Sequence, residues 1–377
     1  MLTPNKILVI ATRQIGDVLI TTPLIRRARK IWPNATIDVL GYKGTMGMLE
    51  GNTDISETIE SSEHPYWAEY KTLFRKILRK YDLAIVSQPS DRAHLYGLVA
   101  AKKRIGIVPR KASHNWWKRL ICSHTITLDY LSQHVVAERF RLLETYDPVP
   151  KCQLEIIPPA TQDLPANVQD MLKGRYVVIH ATPRWYFKRW TITGWAALIK
   201  ELILRDVQVV LTGSSSSQDR EINSSIQASL NSKMGQLTCG RLIDISGQLS
   251  LAQTGTLLGQ AFGYVGVDTS VTHLAAATGA KVIAIFGATP PTNYGPWPIN
   301  YQDLQPWKKT GNQPADQPRV QTRGNVRIIQ GPGHCVPCRK AGCLDKFESH
   351  SDCLDRLDVA NVTQMVISHL ELGPETV

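Results

Sequence analysis

Short apolar runs alternate with segments of helical spacing along the first part of the chain. Residues Lys6 to Ala11 read KILVIA, a run typical of a buried strand. Apolar side chains then recur at roughly helical spacing as far as Ile31. Further apolar runs that predict strands lie at Ala35 to Leu40, Leu83 to Ser87 and Arg104 to Ile107. The pattern therefore predicts a first series of alternating strands and helices.

A second alternating series follows a proline-rich break around Ile157 to Val168. Helical stretches, among them Gly194 to Leu204 and Leu251 to Gln260, separate its strands. The predicted strands of this series are Tyr176 to His180, Val207 to Thr212, Leu242 to Ser246, Tyr264 to Val267 and Val282 to Phe286. Alternation of this kind favours parallel sheets with right-handed crossovers, so the sequence predicts an α/β protein.

The 377 residues fit two domains, since globular domains usually hold roughly 100 to 200 residues. We place an amino-terminal domain at 1–165 and a second domain at 166–355. A closing segment, 356–377, contains the amphipathic stretch Val359 to Leu370. We expect a helix there that can pack back toward the amino-terminal domain. The polar, proline-containing stretch Gln302 to Gly324 is expected to be a loop.

The composition excludes several classes of protein. No apolar run approaches the ~20 residues that a membrane-spanning helix requires. The amino-terminal segment lacks the apolar region and cleavage site of a signal peptide. Seven cysteines, four of them crowded near the carboxyl terminus, argue against a secreted disulfide framework. We therefore expect a cytoplasmic protein.

The formal net charge of +11 is concentrated in the amino-terminal half. Basic residues cluster between Arg26 and Lys30, between Arg75 and Lys80, and from Lys102 to Arg119, where Trp116 and Trp117 interrupt them. This combination suits an anionic membrane surface or a phosphorylated lipid. No nucleic-acid-binding motif accompanies it, so we expect no nucleic-acid partner. The alternative is a set of solvated helix faces.

The stretch Tyr264 to Ala277 has the pattern of an anion-binding site. An apolar strand runs into Asp268, and a helix of small residues follows, with Thr269 or Ser270 as its N-cap. The first turn of a helix leaves backbone N–H groups unpaired and carries the positive end of the helix dipole, so a phosphate is stabilised there. In an open α/β sheet, ligands bind at the carboxyl ends of the strands.

Two common nucleotide-binding motifs are missing. The first strand is followed by TRQIGD instead of G-x-G-x-x-G, which disfavours an oxidoreductase. A P-loop is also absent from the sequence, which disfavours a kinase or an ATPase. A pair of α/β domains with chemical groups at the strand ends then suits a nucleotide-sugar enzyme.

Five segments of the chain carry a family resemblance. These segments are Ile7 to Pro23, Val178 to Trp190, Ser246 to Leu251, the segment around Asp268, and Ile285 to Trp297. They resemble the heptosyltransferases of lipopolysaccharide core synthesis, glycosyltransferase family 9, and especially the heptosyltransferase III branch, and they span both halves in the order of the family. The resemblance implies the GT-B fold, in which two Rossmann-like domains face a central cleft, and inverting transfer of heptose from an ADP-activated donor.

Asp17 matches the catalytic aspartate of that family. Inverting transfer is a single displacement at the anomeric carbon, so a base must take the proton of the acceptor hydroxyl. We expect Asp17 to be this base on a loop, with the preceding Gly16 letting the acceptor approach. From the residues alone, an aspartate that only caps a helix is an equal alternative.

The leaving diphosphate requires positive groups. The chain contains no D-x-D metal-binding motif, so we expect metal-independent chemistry. Lys188 matches the phosphate-contacting lysine of the family, and Thr182 and Arg184 precede it in the same predicted loop. The alternative for Lys188 is an ordinary surface lysine.

The anion-binding segment supplies the remaining predicted donor contacts. We expect Asp268 to contact donor hydroxyls. The groups expected to meet phosphate are the backbone N–H groups of Thr269, Ser270, Val271 and Thr272, together with His273. A histidine buried in the core is the alternative for His273.

The nucleoside is expected after the strand that ends near Thr212. The family holds the ribose with an acidic residue in this region, and both Asp219 and Glu221 are candidates in this sequence.

Four cysteines near the carboxyl terminus have the spacing C-x2-C-x4-C-x9-C. They are Cys335, Cys338, Cys343 and Cys353. Two interpretations are possible. The cysteines hold a structural zinc or iron ion that supports folding and takes no part in transfer, or they are reduced, packed thiols.

The sequence therefore predicts an inverting heptosyltransferase peripheral to the inner face of the inner membrane of a Gram-negative bacterium. Its donor would be ADP-L-glycero-D-manno-heptose, and its acceptor the inner core of lipopolysaccharide. Two alternatives remain. One is an enzyme that uses another nucleotide sugar or a protein acceptor, and the other is a non-catalytic protein that binds nucleotide sugars or anionic lipid.

Overall fold

The computed structural model describes residues 3–110, 115–129, 132–234, 240–309 and 316–373. The chain falls into two compact units. The first comprises Met1–Ala160 and Tyr301–Gln305, and the second comprises Thr161–Asn300 and Pro306–Val377. The division after Ala160 lies within the proline-rich break.

The first unit contains a parallel sheet of six described strands in the order β3-β2-β1-β4-β5-β6. Its strands are β1 (Lys6–Ala11), β2 (Thr36–Tyr42), β3 (Glu57–Ser61), β4 (Tyr81–Val86), β5 (Ala101–Val108) and β6 (His124–Thr127). The central strand β1 is apolar at every position from Ile7 to Ala11, and these residues are fully buried. Burial on both faces explains why this strand is a continuous apolar run.

Helices connect the strands of the first unit. They are α1 (Ile15–Leu19), α2 (Thr22–Ile31), α3 (Trp67–Ile77), α4 (Asp91–Ala100), α5 (Trp116–Ile121) and α6 (Val135–Arg141), with a 3-10 helix at Met46–Leu49. Helix α2 has Pro23 in its first turn, where a missing N–H costs nothing. Helix α4 begins after Ser90, whose side chain accepts a hydrogen bond from Ala93 N at 3.3 Å.

The second unit contains a sheet of seven described strands in the order β12-β13-β11-β10-β7-β8-β9. Every pair is parallel except β12 with β13. Its strands are β7 (Tyr176–His180), β8 (Gln208–Leu211), β9 (Leu242–Asp244), β10 (Gly263–Val267), β11 (Val282–Phe286), β12 (Arg319–Arg323) and β13 (Val326–Gln330). The predicted α/β class with parallel sheets is confirmed.

The helices of the second unit begin at α7 and end at α14. They are α7 (Ala166–Met171), α8 (Ile192–Leu204), α9 (Ser217–Met234), α10 (Leu251–Gln260), α11 (Ser270–Ala277), α12 (Pro291–Tyr294), α13 (Asp352–Asp355) and α14 (Val359–Leu370), with a 3-10 helix at Tyr186–Lys188. Helix α8 packs Trp195, which is fully buried, edge-on against Trp190 at a ring separation of 5.0 Å. This contact ties the loop after β7 to the core.

One predicted loop contains a strand. Within Gln302 to Gly324, residues Arg319–Arg323 form β12, which pairs antiparallel with β13. The rest of that prediction includes residues 310–315, which lie outside the described residues. The loop prediction was wrong at β12 because this edge strand, RVQTR, has one large apolar side chain and is half exposed. The polar edge strands β3 and β6 were missed for the same reason.

The closing helix α14 packs in the second unit. Its buried residues Val362, Val366 and Leu370 join the core formed by the sheet and α8. The Asp358 carboxylate caps the helix by accepting a hydrogen bond from Asn361 N at 2.7 Å. Packing of this helix toward the amino-terminal domain stays a prediction. Among the described helices, none combines the length and apolarity that crossing a membrane requires.

Candidate active site

The order of the sheet in the second unit reverses between β7 and β10. The next strand in sequence, β8, lies beside one edge of β7, whereas β10 lies beside its other edge. Ligands of open α/β sheets bind at such a switch point, beside the carboxyl ends of the strands. Lys188 follows β7, and Asp268 follows β10 directly. The fold thus brings two predicted site residues to this point.

Lys188 and Asp268 form an ion pair. Lys188 Nζ lies 2.6 Å from Asp268 Oδ2, and the Asp268 side chain is only 8% exposed. Burial by itself would raise the pKa of the Asp268 carboxyl. The charge and hydrogen bond of Lys188, with help from Thr289 and His273, hold that pKa below its usual value. Asp268, predicted to contact donor hydroxyls, therefore holds Lys188 in this structure.

Helix α11 begins beside this pair. Thr269 is its N-cap, and the Thr269 side chain makes no capping hydrogen bond to the backbone of the first turn. The Thr272 hydroxyl bonds to Val267 O and lies 2.8 Å from Tyr264 Oη, so it faces the interior. Backbone N–H groups are therefore what α11 presents to an anion.

The other predicted residues of this segment differ in exposure. Ser270 is partly exposed, whereas Val271 and His273 are buried. The His273 ring is close enough to Asp268 to lower the pKa of that carboxyl. The core and the ligand-contacting alternatives for His273 are therefore both compatible with its position.

The loop after β7 holds two further predicted residues. Thr182 is buried, and its hydroxyl has no hydrogen-bond partner among the described residues. Arg184 is exposed, with its guanidinium 4.9 Å from the centre of the Trp185 ring. Because a buried hydroxyl normally has a partner, Thr182 is a candidate for contact with a ligand.

The two acidic candidates for the ribose differ in their surroundings. Asp219 is buried, and its Oδ2 accepts a hydrogen bond from Ser214 N at 2.7 Å. This contact closes the loop between β8 and α9. Glu221, two residues further along α9, is exposed. Asp219 therefore shapes the loop, and Glu221 has the more accessible carboxylate.

His180, at the end of β7, was not singled out from the sequence. Its Nδ1 lies 3.0 Å from Thr212 Oγ1 at the end of the neighbouring strand β8. Burial lowers the pKa of His180 to about 4, although Asp219 opposes the shift. The imidazole is consequently neutral at pH 7 and links two strand ends.

Asp17 lies in the first unit, where the strand order reverses between β1 and β4. It is the third residue of α1, and Gln14 is the N-cap. The loop placement and the helix-capping alternative for Asp17 were therefore both wrong, because α1 starts two residues before it. Gly16 precedes Asp17 in this helix and is partly exposed.

Arg139 in α6 fixes the Asp17 carboxylate. Arg139 Nη2 donates to Asp17 Oδ1 at 2.5 Å, and Nη1 donates to the Asp17 backbone carbonyl at 3.0 Å. Sequence reasoning missed Arg139 because 122 residues separate the partners. The contact uses one carboxylate oxygen, so the carboxylate is oriented by a buried cation.

Glu138 neighbours Arg139 in α6 and is buried. Burial raises the pKa of Glu138 to about 7, although the Asp129 backbone N–H and the nearby arginines oppose the shift. The Arg139 guanidinium forms its ion pair with Asp17.

Two buried polar residues continue β1 and β4 at the same switch point. Thr12 follows β1 and Gln88 follows β4. The Thr12 hydroxyl and both polar atoms of the Gln88 amide have no hydrogen-bond partner among the described residues. Burial without a partner is costly, so these groups are candidates for contact with an acceptor. The sequences around them, TRQ and SQP, did not indicate that these two residues could contact a ligand.

The four predicted cysteine ligands differ in exposure: Cys335 and Cys343 are exposed, whereas Cys338 and Cys353 are half-buried. Burial, followed by the charges of the thiols of Cys338, Cys343 and Cys335, raises the pKa of Cys353 to about 12. A second grouping consists of Cys343, His350 and Asp352, whose ligand atoms all lie within 4.8 Å of one another. The cysteine-rich segment therefore contains a set of side chains that could hold a metal ion, and the set extends beyond the cysteines.

The chain matches a known family over more than half of its length. A sequence model of glycosyltransferase family 9 (heptosyltransferase) matches residues 70–319. The chain belongs to glycosyltransferase family 9. It is therefore a glycosyltransferase, and the family resemblance drawn from the motifs is confirmed.

Named relatives agree with this assignment. Lipopolysaccharide heptosyltransferase 3 of Escherichia coli is 28% identical over 296 residues, which cover 76% of this chain and 84% of the relative. Lipooligosaccharide heptosyltransferase 2 of Haemophilus influenzae is 25% identical over 306 residues, with the same two shares. Lipopolysaccharide heptosyltransferase 2 of Escherichia coli reaches 27%. Because the identities to heptosyltransferases 2 and 3 are nearly equal, membership of the heptosyltransferase III branch stays a prediction.

Solved structures share the fold. Escherichia coli ADP-heptose lipopolysaccharide heptosyltransferase II has a TM-score of 0.70 at 20% identity, covering 97% of this chain and 98% of that one. A family 9 glycosyltransferase from Veillonella parvula has a TM-score of 0.74 at 16% identity, covering 97% of both chains. The GT-B fold with its two Rossmann-like units is confirmed.

Proposed function

We propose that this glycosyltransferase moves a heptose from ADP-L-glycero-D-manno-heptose to the inner core of lipopolysaccharide, with inversion at the anomeric carbon. The observation that carries the proposal is the Lys188–Asp268 pair beside the first turn of α11. A cation and unpaired backbone N–H groups at one switch point suit a diphosphate. The names of the relatives supply the sugar and the acceptor class.

The proposed reaction is one displacement. The acceptor oxygen forms a bond to the anomeric carbon as the bond from that carbon to the diphosphate oxygen breaks. The acceptor proton moves to Asp17, for which we assign Oδ2, because Arg139 already occupies Oδ1.

The departing ADP needs its developing negative charge neutralised. We assign this task to Lys188 Nζ and the N–H groups of Thr269 to Thr272, with His273, Thr182 and Arg184 completing the phosphate contacts. Because Asp268 holds Lys188 in place, the cation needs little reorganisation when the donor binds. Glu221 is our preferred ribose contact, with Asp219 supporting its loop.

Cationic groups take the place of a metal ion in this scheme. We therefore propose transfer without a cofactor, and an ion at the cysteine-rich segment would have a separate role.

We also propose that the first unit contacts the anionic inner face of the inner membrane. Large apolar side chains are exposed on its helices, including Trp67 at 80%, Trp116 at 60% and Leu120 at 74%. Exposed basic residues such as Lys71 and Arg119 lie on the same helices. Tryptophan with nearby cations suits a lipid headgroup region.

Vesicle binding checks the membrane contact. We expect the protein to sediment with vesicles that contain phosphatidylglycerol and to remain in solution with purely zwitterionic vesicles, with binding weakened by salt. The variant Trp116→Ser should bind anionic vesicles more weakly than the control Val320→Ser, which removes an exposed valine of β12 in the second unit. Equal sedimentation with both vesicle types would contradict the proposal.

A turnover assay tests the function. ADP-heptose is offered with core acceptors truncated at successive positions, with and without a chelator, and the product linkage is identified by NMR. We expect transfer with inverted anomeric configuration that persists in chelator. A different preferred nucleotide sugar, a protein acceptor, or donor binding without any turnover would each refute the proposal, because each corresponds to one of the alternative functions.

A further inference from the structure

The cysteine-rich segment, residues 331–355, holds three potential metal ligands close to one another. Cys343 N donates to His350 O at 2.9 Å, and Asp352 N donates to Cys343 Sγ at 3.3 Å. His350 Nε2 lies 2.9 Å from Asp352 Oδ1. The backbone itself therefore holds the thiol against the imidazole and carboxylate.

The three ligand types and their spacing fit zinc. Zinc binds thiolate, imidazole and carboxylate in tetrahedral geometry, in which ligand atoms lie about 3 to 4 Å apart. The thiol, imidazole and carboxylate here lie within 4.8 Å of one another before any ion draws them together.

The same segment contacts the loop that carries Lys188. Phe347 stacks on Trp185 with ring centres 4.4 Å apart, at an interplanar angle of 26°. Ser351 Oγ donates to Phe187 O at 2.7 Å, and this contact is buried. These two attachments lie just before Lys188 in the chain.

Phe347 and Ser351 also flank His350, one of the three potential metal ligands, in sequence. A change in the backbone around His350 would therefore be transmitted to Trp185 and Phe187.

The segment is anchored at the end of β11 as well. Gly331 N donates to Phe286 O at 2.9 Å, and Arg339 N donates to Ala288 O at 2.9 Å. Leu354 is buried so close to Gly287 that an added Cβ there would lie 3.0 Å from Leu354 Cγ. Between these anchored positions, most side chains of the stretch that includes Phe347 are exposed. The conformation of this stretch therefore depends on its local contacts.

We propose that Cys343, His350 and Asp352 bind a zinc ion that fixes this segment and thereby positions the Lys188 loop. The inference rests on the proposed role of Lys188 at the donor diphosphate. Zinc would act on donor binding through Phe347 and Ser351, and it would contact neither the donor nor the acceptor. The three ligands are positioning residues in this scheme.

Metal content and backbone exchange test the proposal on the full chain. We expect close to one zinc per chain by plasma mass spectrometry after incubation with Zn²⁺ and desalting. Cys343→Ser and Asp352→Asn should lower zinc affinity by at least about tenfold, whereas Cys152→Ser, which removes a thiol of the first unit, should not. Zinc removal should accelerate hydrogen exchange of residues 183–190 and weaken ADP binding, measured by calorimetry, by about tenfold.

Phe347→Ala separates metal binding from its effect on the loop. This variant keeps every proposed ligand, so it should retain zinc while showing the faster exchange in 183–190. The proposal is overturned if the wild-type chain binds no zinc, if it selects iron instead, or if exchange in 183–190 is the same with and without zinc. ADP binding is measured without an acceptor. The effect of zinc on ADP binding can therefore be judged even if the protein does not transfer heptose.

Discussion

Replacing Asp17 by asparagine is expected to lower kcat by about 10²- to 10⁴-fold, the usual contribution of a general base. Asparagine retains an oxygen for Arg139 Nη2 but cannot accept the acceptor proton. Affinity for the donor should stay within about threefold, because the substitution leaves the proposed diphosphate groups unchanged. Steady-state kinetics at saturating acceptor, with calorimetric titration of ADP-heptose, measure both quantities.

A second aspartate–arginine pair provides the matched control for this variant. Asp206 Oδ1 lies 2.5 Å from Arg241 Nη1, and both side chains are substantially exposed. Asp206→Asn should therefore leave kcat near the wild-type value, since exposed ion pairs contribute little to stability. An Asp17→Asn enzyme that keeps more than about a tenth of wild-type kcat would contradict the assignment of the base.

Replacing Lys188 by alanine should lower kcat/KM by about 10²- to 10³-fold, the effect typical of removing one group that stabilises a developing anion. The loss should appear in kcat as well as in KM, because charge on the diphosphate increases in the transition state. The measurement is kcat and KM for ADP-heptose at fixed acceptor. Lys200→Ala, which removes an exposed lysine of α8, is the control.

Loss of the ion pair with Asp268 is expected to change the stability of the Lys188→Ala variant as well as its activity. Removing the ammonium leaves the buried Asp268 carboxylate without its partner, and an uncompensated buried charge is destabilising. The double variant Lys188→Ala with Asp268→Asn removes both charges and should recover stability without recovering activity. If the double variant regains near-wild-type kcat/KM, the role of Lys188 at the diphosphate is refuted and the single-variant loss reflects Asp268 alone.

Most buried strands of both sheets could be predicted from the sequence because each is covered on two faces, but the buried strand β13 (Val326–Gln330) was not predicted. Lys6–Ala11, Tyr176–His180 and Val282–Phe286 were predicted with the bounds that the structure has. Strands that are half exposed carry no such run of apolar residues. The edge strands β3 and β12 were therefore missed, since their pairing with a neighbour is not encoded in local hydrophobicity.

The sequence by itself determined which chemistry is available: an aspartate after the first strand, a lysine in an aromatic loop, and a helix start after Asp268. It could do so because these groups lie in short segments next to strands, and strand ends are readable from local pattern. The partners of these groups were decided only by the tertiary structure. Arg139 reaches Asp17 across 122 residues, and Lys188 meets Asp268 because β7 and β10 lie side by side in the sheet. Contacts between distant segments depend on strand order, which no local pattern specifies.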